Sequence, residues 1–290
     1  MEGMLLGPAG NCEDFYAAGN KSSISAPEWV MKNGLGAYEY QCGKGVKISD
    51  EAAEKIGEEA KKCGIALSVH APYYISISSE YEEKRDKSIL YILQTLQAAK
   101  SMGATRIVVH SGSCAKITRH YAMQLAKDTL TKALRAAEDE GFGDILICPE
   151  TMGKVNQLGS VEEVIEMCKL SERLMPVIDF GHVNARTLGG LKTKEDFEKI
   201  FNAIHKHLGE YRGKHFHAHY SRIEYTSSGE KKHHRFDETE FEPEFDPIAE
   251  IVAQRGLAPT VICESRGSQT RDAVEMMKIY RRKLDDIQAQ

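Results

Sequence analysis

The sequence has no C-x-x-C pair, although it holds seven cysteines, at 12, 42, 63, 114, 148, 168 and 263. An odd number at wide spacings is neither a disulfide framework nor a zinc-finger pattern. A reducing, cytoplasmic compartment is the expectation, with Cys148 and Cys263 as small buried hydrophobes inside apolar runs. No apolar run approaches the roughly 18 residues that a membrane helix needs, so no membrane partner is expected. The N-terminal run Met1-Glu2-Gly3-Met4-Leu5-Leu6-Gly7 has no basic region leading into a long apolar stretch, and no secretory signal is read there. No proline-rich or low-complexity linker divides the chain, and no glycine-rich dinucleotide or phosphate loop follows a strand-like run. Positive charge is also short. Against 38 Lys and Arg stand 43 Asp and Glu, a net −5 that excludes polyanion binding by bulk charge but leaves room for a local basic or metal-lined groove.

The composition that remains is globular: 41% hydrophobic residues supply a core able to offset the chain entropy, which excludes disorder as the main state. Strand-length apolar runs recur at 4–7, 37–40, 66–69, 106–109, 145–148, 175–178, 214–217 and 260–263. Helical spacing fills the intervals 49–64, 80–102, 118–140, 160–173, 193–208, 245–256 and 269–285, and Ser160-Val161-Glu162-Glu163 fits a capping box. Alternating strands and helices imply parallel βα units. Eight such units in 290 residues predict an α/β fold, a single-domain (β/α)8 TIM barrel, with an open doubly wound sheet as the alternative. The polar segment 221–245 is expected to be a functional loop after strand seven.

In such a barrel the chemistry sits at the C-terminal strand ends. Those ends carry His70 after strand three, His110 after four, Glu150 after five, Asp179 and His182 after six, and Glu264 after eight. Strand seven carries His215, His217 and His219, and its loop adds Glu230, His233 and His234. Six consecutive strands thus end in zinc-type ligands. Clustered carboxylates repel and buried unpaired ones are costly, so a metal cluster is the arrangement that resolves both problems. A mononuclear site needs only Glu150, Asp179, His217 and Glu264. The surplus histidines suit two or three ions bridged by Glu150, an arrangement typical of phosphoester hydrolysis.

The series Ser-Val-His-Ala-Pro-Tyr (68–73), Val-Val-His-Ser-Gly-Ser (108–113), Cys-Pro-Glu-Thr (148–151) and Val-Ile-Asp-Phe-Gly-His (177–182) resembles endonuclease IV. This is apurinic/apyrimidinic endonuclease family 2, within the xylose-isomerase-like TIM barrels. His217-Ala218-His219-Tyr220-Ser221-Arg222 and Cys263-Glu264-Ser265-Arg266 agree in order and spacing, so the resemblance spans about residues 4–285. It implies a zinc-dependent, monomeric DNA-repair hydrolase that cuts damaged double-stranded DNA 5′ to abasic sites with three zinc ions, manganese being the alternative metal. By motif, His70, His110 and Glu150 would hold one zinc. Glu150, Asp179, His217 and Glu264 would hold the second, and His182 and His233 the third. Glu150 and Glu264 would be the catalytic carboxylates, and Tyr73 and Gln41 match family positions near the substrate. Separately, Arg222 and Arg266, with Lys231, Lys232 and Arg235, are expected to lend local positive charge to bound phosphates.

The sequence departs from that family at the third zinc. Where the family has Asp-Arg-His, this chain has Lys231-Lys232-His233, with Glu230 as the substitute acid. His217 and His219 share a strand face, so either suits the second zinc. A sugar isomerase or epimerase using one metal on the four-ligand set is the competing reading, and a non-cleaving lesion-binding protein is a third.

Overall fold

A computed structural model describes residues 3–114 and 116–289; Met1 and Glu2 of the N-terminal run lie outside them. Eight strands form one parallel sheet: β1 (Leu5–Pro8), β2 (Ala37–Gln41), β3 (Ala66–His70), β4 (Arg106–His110), β5 (Leu146–Glu150), β6 (Val177–Asp179), β7 (His217–Tyr220) and β10 (Thr260–Cys263). The order is β1-β10-β7-β6-β5-β4-β3-β2. The two outer strands meet through an Ala9–Glu39 bridge and the bonds Gly36 N to Leu6 O (3.0 Å) and Gly10 N to Glu39 O (2.8 Å). The sheet therefore curls into the expected barrel. At this seam Gly7 has no alternative, because a Cβ there would lie 1.7 Å from the Ala37 carbonyl oxygen.

The helices follow from capping and burial. In α3 (Asp50–Cys63) the Ser49 hydroxyl accepts from Ala52 N, acids occupy the first turn, and Gly64 ends the helix at φ 67°. Its inner face, Ala53, Ile56 and Ala60, is buried against the barrel. The long helices α4 (Glu82–Met102) and α5 (Arg119–Asp139) continue the ring, and α6 (Val161–Cys168) opens on the capping box read from the sequence. Three short helices escaped the periodicity reading: α1 (Glu13–Ala17), α2 (Ala26–Lys32) and α7 (Phe180–Arg186). Each spans two turns or fewer, too short for a 3.6-residue pattern to declare itself.

Two expectations need correction. Strand seven begins at His217, not Lys214, because α8 (Lys194–His215) resumes after a break at Gly209 (φ 84°) and carries the chain three residues further. The 221–245 segment is not simply a loop. It contains a hairpin, β8 (Arg222–Thr226) with β9 (Gly229–His234), before α9 (Asp246–Arg255) and, after β10, α10 (Gln269–Gln288). Among the described residues no helix is long and apolar enough to cross a membrane.

Candidate metal centre

Strand register brings the predicted residues together at the C-terminal mouth. Gln41 lies abreast of His70, His110 of Glu150, and Asp179 of His219. Side chains from these strand ends and from the hairpin converge in three adjoining clusters.

In the first, His70 Nε2 and His110 Nε2 each stand 3.5 Å from Glu150 Oε2, a buried oxygen with no hydrogen-bond partner. In the second, His219 Nδ1 lies 2.9 Å from Glu150 Oε1 and 3.5 Å from Glu264 Oε1, and Asp179 completes the group. In the third, His182 Nε2 lies 3.5 Å from Glu230 Oε2 and 3.3 Å from His233 Nε2, which is 3.7 Å from Glu230 Oε1. Glu150 thus turns one oxygen to each of the first two clusters.

These spacings fit metal ligands. Ligands about 2.1 Å from a tetrahedral ion are about 3.4 Å from one another. That is longer than a good hydrogen bond and close to what five of these seven pairs show. Glu150 Oε2 and Asp179 Oδ2 are both buried and accept no hydrogen bond, having only histidine nitrogens 3.3–3.5 Å away, a costly state for a carboxylate unless a cation joins them. The rings are also pre-set. His70 Nδ1 faces Ala71 O at 2.8 Å, His182 Nδ1 faces Thr151 O at 2.9 Å, and His233 Nδ1 faces Ser221 Oγ at 2.8 Å. Donation from Nδ1 leaves Nε2 as a lone pair directed into the cluster.

The electrostatics agree. Burial alone would raise the Glu150 pKa, but His219, His70 and His110 outweigh it and hold the carboxylate well below its ordinary range. Burial likewise opposes ionisation of Glu230, yet His233 and His182 bring it to about 2. Burial disfavours charged His70 and His233, but Glu150 around the one and Glu230 around the other lift each to about 9. Glu264 moves the opposite way: burial and the charges of Glu150 and Asp179 raise it despite His219. The ionised carboxylates that draw protons onto His70 and His233 would equally draw a metal ion in the protons' place, while burial lowers His110 to about 4 and leaves its ring neutral.

The third cluster departs from simple strand geometry. Residues three apart on a regular strand face opposite sides. Here Glu224 pairs with Lys232 and Tyr225 with Glu230, so Lys231 is an extra, bulged residue. The bulge returns Glu230 and His233 to one face. Gly153, after β5, admits the pair: a Cβ there would lie 2.6 Å from Glu230 Cβ and 3.1 Å from His182 Cδ2. Glu224, the other loop acid, instead pairs with Lys231 and His234.

Two predicted residues are placed elsewhere. His217 does not join Glu150, Asp179 and Glu264. It lies one layer deeper, its Nε2 2.9 Å from Glu39 Oε2, and burial lowers its pKa to about 4. Arg222 is not poised for a phosphate. It is buried, its guanidinium bound by Glu244 (2.8 Å) and by the Phe236 carbonyl (2.9 Å). Tyr73 is 60% exposed and Gln41 is exposed, both at the ends of strands that carry the site. Arg266 lines a cleft of about 270 Å³ with Lys232, Arg235 and Arg271. Sequence reading missed Glu39, a fully buried acid in the middle of β2, whose only signal was a charge inside an apolar strand.

Histidines and carboxylates gathered at the C-terminal mouth of a TIM barrel could hold metal ions there. The chain belongs to the xylose isomerase-like TIM barrel family, which matches residues 27–282. An uncharacterised protein of Methanocaldococcus jannaschii is 31% identical over 90% of this chain and 92% of its own length. A probable endonuclease 4 of Malacoplasma penetrans is 28% identical over 47% of this chain and 48% of its own length. Among solved structures, a D-tagatose 3-epimerase-like protein superposes with a TM-score of 0.70 at 21% identity, covering 100% of this chain and 99% of its own. Endonuclease IV from Thermus thermophilus superposes at 0.67 with 16% identity, covering 99% and 100%. Identities this low show the shared fold and no more.

Proposed function

We propose that this protein is a zinc-dependent endonuclease of the endonuclease IV type, hydrolysing the phosphodiester bond 5′ to abasic sites in double-stranded DNA. The carrying observation is the number of clusters. Three adjoining sets, two of them sharing Glu150, exceed what one metal requires, and the extra set on the hairpin uses His182, Glu230 and His233.

His70, His110 and Glu150 would hold one ion. Glu150, Asp179, His219 and Glu264 would hold a second, and His182, Glu230 and His233 a third. Bound there, the ions would lower the pKa of water toward neutrality and neutralise charge developing on the phosphate. The protein's own part is positioning. Glu150 fixes the spacing of the first two sets through its two oxygens. Glu264 is more exposed than Glu150 or Asp179, at 16% of its side chain, and presents the site to an incoming backbone. Tyr73 and Gln41 form an accessible rim. Arg266 and Lys232 lend local positive charge to a chain that is negative overall.

The test is incision of a labelled duplex carrying one abasic site, by zinc-loaded and chelator-stripped protein. Zinc-dependent cleavage immediately 5′ to the lesion is expected. A protein that holds its metals and leaves the duplex intact refutes the reading. The second reading is a sugar epimerase or isomerase using only Glu150, Asp179, His219 and Glu264. It is favoured by the second cluster, which gathers a complete set of four ligands by itself. A single exchangeable manganese or magnesium ion would favour it.

A further inference from the structure

His219 is the one ring of the candidate centre that points the other way round. His70, His182 and His233 face a carbonyl or hydroxyl with Nδ1 and the cluster with Nε2. His219 faces Glu150 with Nδ1, and its Nε2 points down the barrel, where Glu39 Oε1 lies 3.1 Å away. Both nitrogens of one fully buried ring therefore sit beside carboxylates. A neutral imidazole has one N–H, so its other nitrogen would oppose a carboxylate lone pair to lone pair. A metal on one side and a proton on the other remove that conflict.

Glu39 is fixed for the proton side. Its Oε2 accepts from Ser68 Oγ (2.8 Å) and His217 Nε2 (2.9 Å), and its Oε1 accepts from Gln41 Nε2 (3.1 Å). Oε1 retains acceptor capacity, and the buried His219 Nε2, 3.1 Å from it, makes no aligned hydrogen bond, so only a small turn of the ring separates donor from acceptor. The donors come from β2, β3 and β7, so the carboxylate is held from three strands.

We propose that Glu39 is a positioning residue that accepts the Nε2 proton of His219 and so commits the Nδ1 lone pair to the metal shared with Glu150, Asp179 and Glu264. His217 and Ser68 act through Glu39 by holding its other oxygen. A carboxylate in this place also makes the ring a more basic ligand than a carbonyl would, and the net charge of the ion balances the buried acid. The assignment rests on the metal-centre reading.

Two measurements decide it. Competition titration with zinc compares wild type with Glu39→Gln, which keeps size and shape. One ion is expected to bind about 10–100-fold more weakly in the variant, with the others unchanged. Nitrogen-15 histidine NMR of the zinc-loaded wild type is expected to show His219 as the Nε2–H tautomer with Nδ1 on the metal. Equal affinity in the variant, or a His219 that carries its proton on Nδ1 or binds metal through Nε2, overturns the role of Glu39 and leaves the metal centre standing. A wild type that takes up no ion overturns both. If Glu39→Gln does not fold, the wild-type NMR still decides.

Discussion

His217 and His219 stand two residues apart on one strand, their ring centroids 5.4 Å apart and their planes at 76°, yet only His219 reaches Glu150. Two residues along a strand is about 6.6 Å. The rings share a face but occupy different layers: His219 lies at the mouth between Glu150 and Glu39, and His217 lies below it against Glu39 without reaching Glu150. Their replacements should separate cleanly. His219→Ala is expected to lose one metal equivalent and the zinc-dependent activity. His217→Ala is expected to keep the full metal count while losing about 1–3 kcal/mol of stability, because Glu39 loses a donor. Elemental analysis beside thermal melting checks both; a His217 variant that loses an ion while the His219 variant keeps it would reverse the assignment.

The bulge at Lys231 makes a second expectation. Deleting Lys231 converts the three-residue spacing of Glu230 and His233 into two, which a regular strand also places on one face. The third ion should therefore be retained on deletion. Insertion of one further residue at the same point makes the spacing four, about 13 Å along a regular strand and too far to share one ion, and should release it. Metal counting on the two variants distinguishes a bulge that compensates for spacing from one that does not.

Gly153→Ala drives a methyl group into Glu230 and His182. Overpacking of this kind costs about 1–3 kcal/mol. The third ion should bind about tenfold or more weakly, as other disturbances of a ligand's surroundings do, with the two ions around Glu150 unaffected. Uniform weakening of all ions would show instead that the barrel itself had been damaged.

Away from the site, Glu163 ties the β5–α6 connection together. It accepts from Gly159 N (2.8 Å), Ser160 N (2.9 Å) and Arg119 Nη2 (3.2 Å). Burial raises its pKa, but Arg119 and the two amides more than offset this and lower it. A folded-state pKa below the unfolded value of about 4.3 means the contribution is complete above that pH and is lost as pH falls through the folded value. Glu163→Gln should cost about 1–3 kcal/mol at pH 7. The gap from wild type should narrow only below about pH 4.3. Urea melts across acid pH test the sign; a gap that widened on acidification would contradict it.

Thiol labelling offers a further check. Cys12, Cys42, Cys148, Cys168 and Cys263 are buried, while Cys63 and Cys114 are partly accessible. Burial pushes Cys148 and Cys263 up to about 12, so neither supplies thiolate near neutrality. An aromatic disulfide reagent should titrate at most Cys63 and Cys114 in the native protein and all seven after denaturation.

The parts of this architecture that were legible in the sequence are those with a long signal. Seven helical intervals and eight short apolar runs repeat often enough to specify the barrel, and His70, His110, Glu150, Asp179, His182, Glu230, His233 and Glu264 do lie together at its mouth. Strand seven was misplaced because Gly209 interrupts α8 without ending it. The choice between His217 and His219 was not legible, since strand alternation assigns a face but not a height. Arg222 read as a phosphate contact because nothing local reveals that Glu244, twenty-two residues on, takes its guanidinium. Glu39 went unnoticed because its partners come from residues 68, 217 and 219, far apart in the chain.

The seam of the barrel gives Glu39 a second office. Its backbone carbonyl receives Gly10 N and its residue bridges to Ala9, fastening the first strand to the second, while its side chain reaches inward toward His219. The opening ten residues hold none of the proposed ligands, yet they grip the backbone from which His219 is steadied. On the other flank Leu5 lies abreast of Thr260, so the same short strand also clasps the far end of the polypeptide. Ring closure and histidine orientation are thereby geared together: a chain that has not joined its two ends has not yet set the tilt of that imidazole.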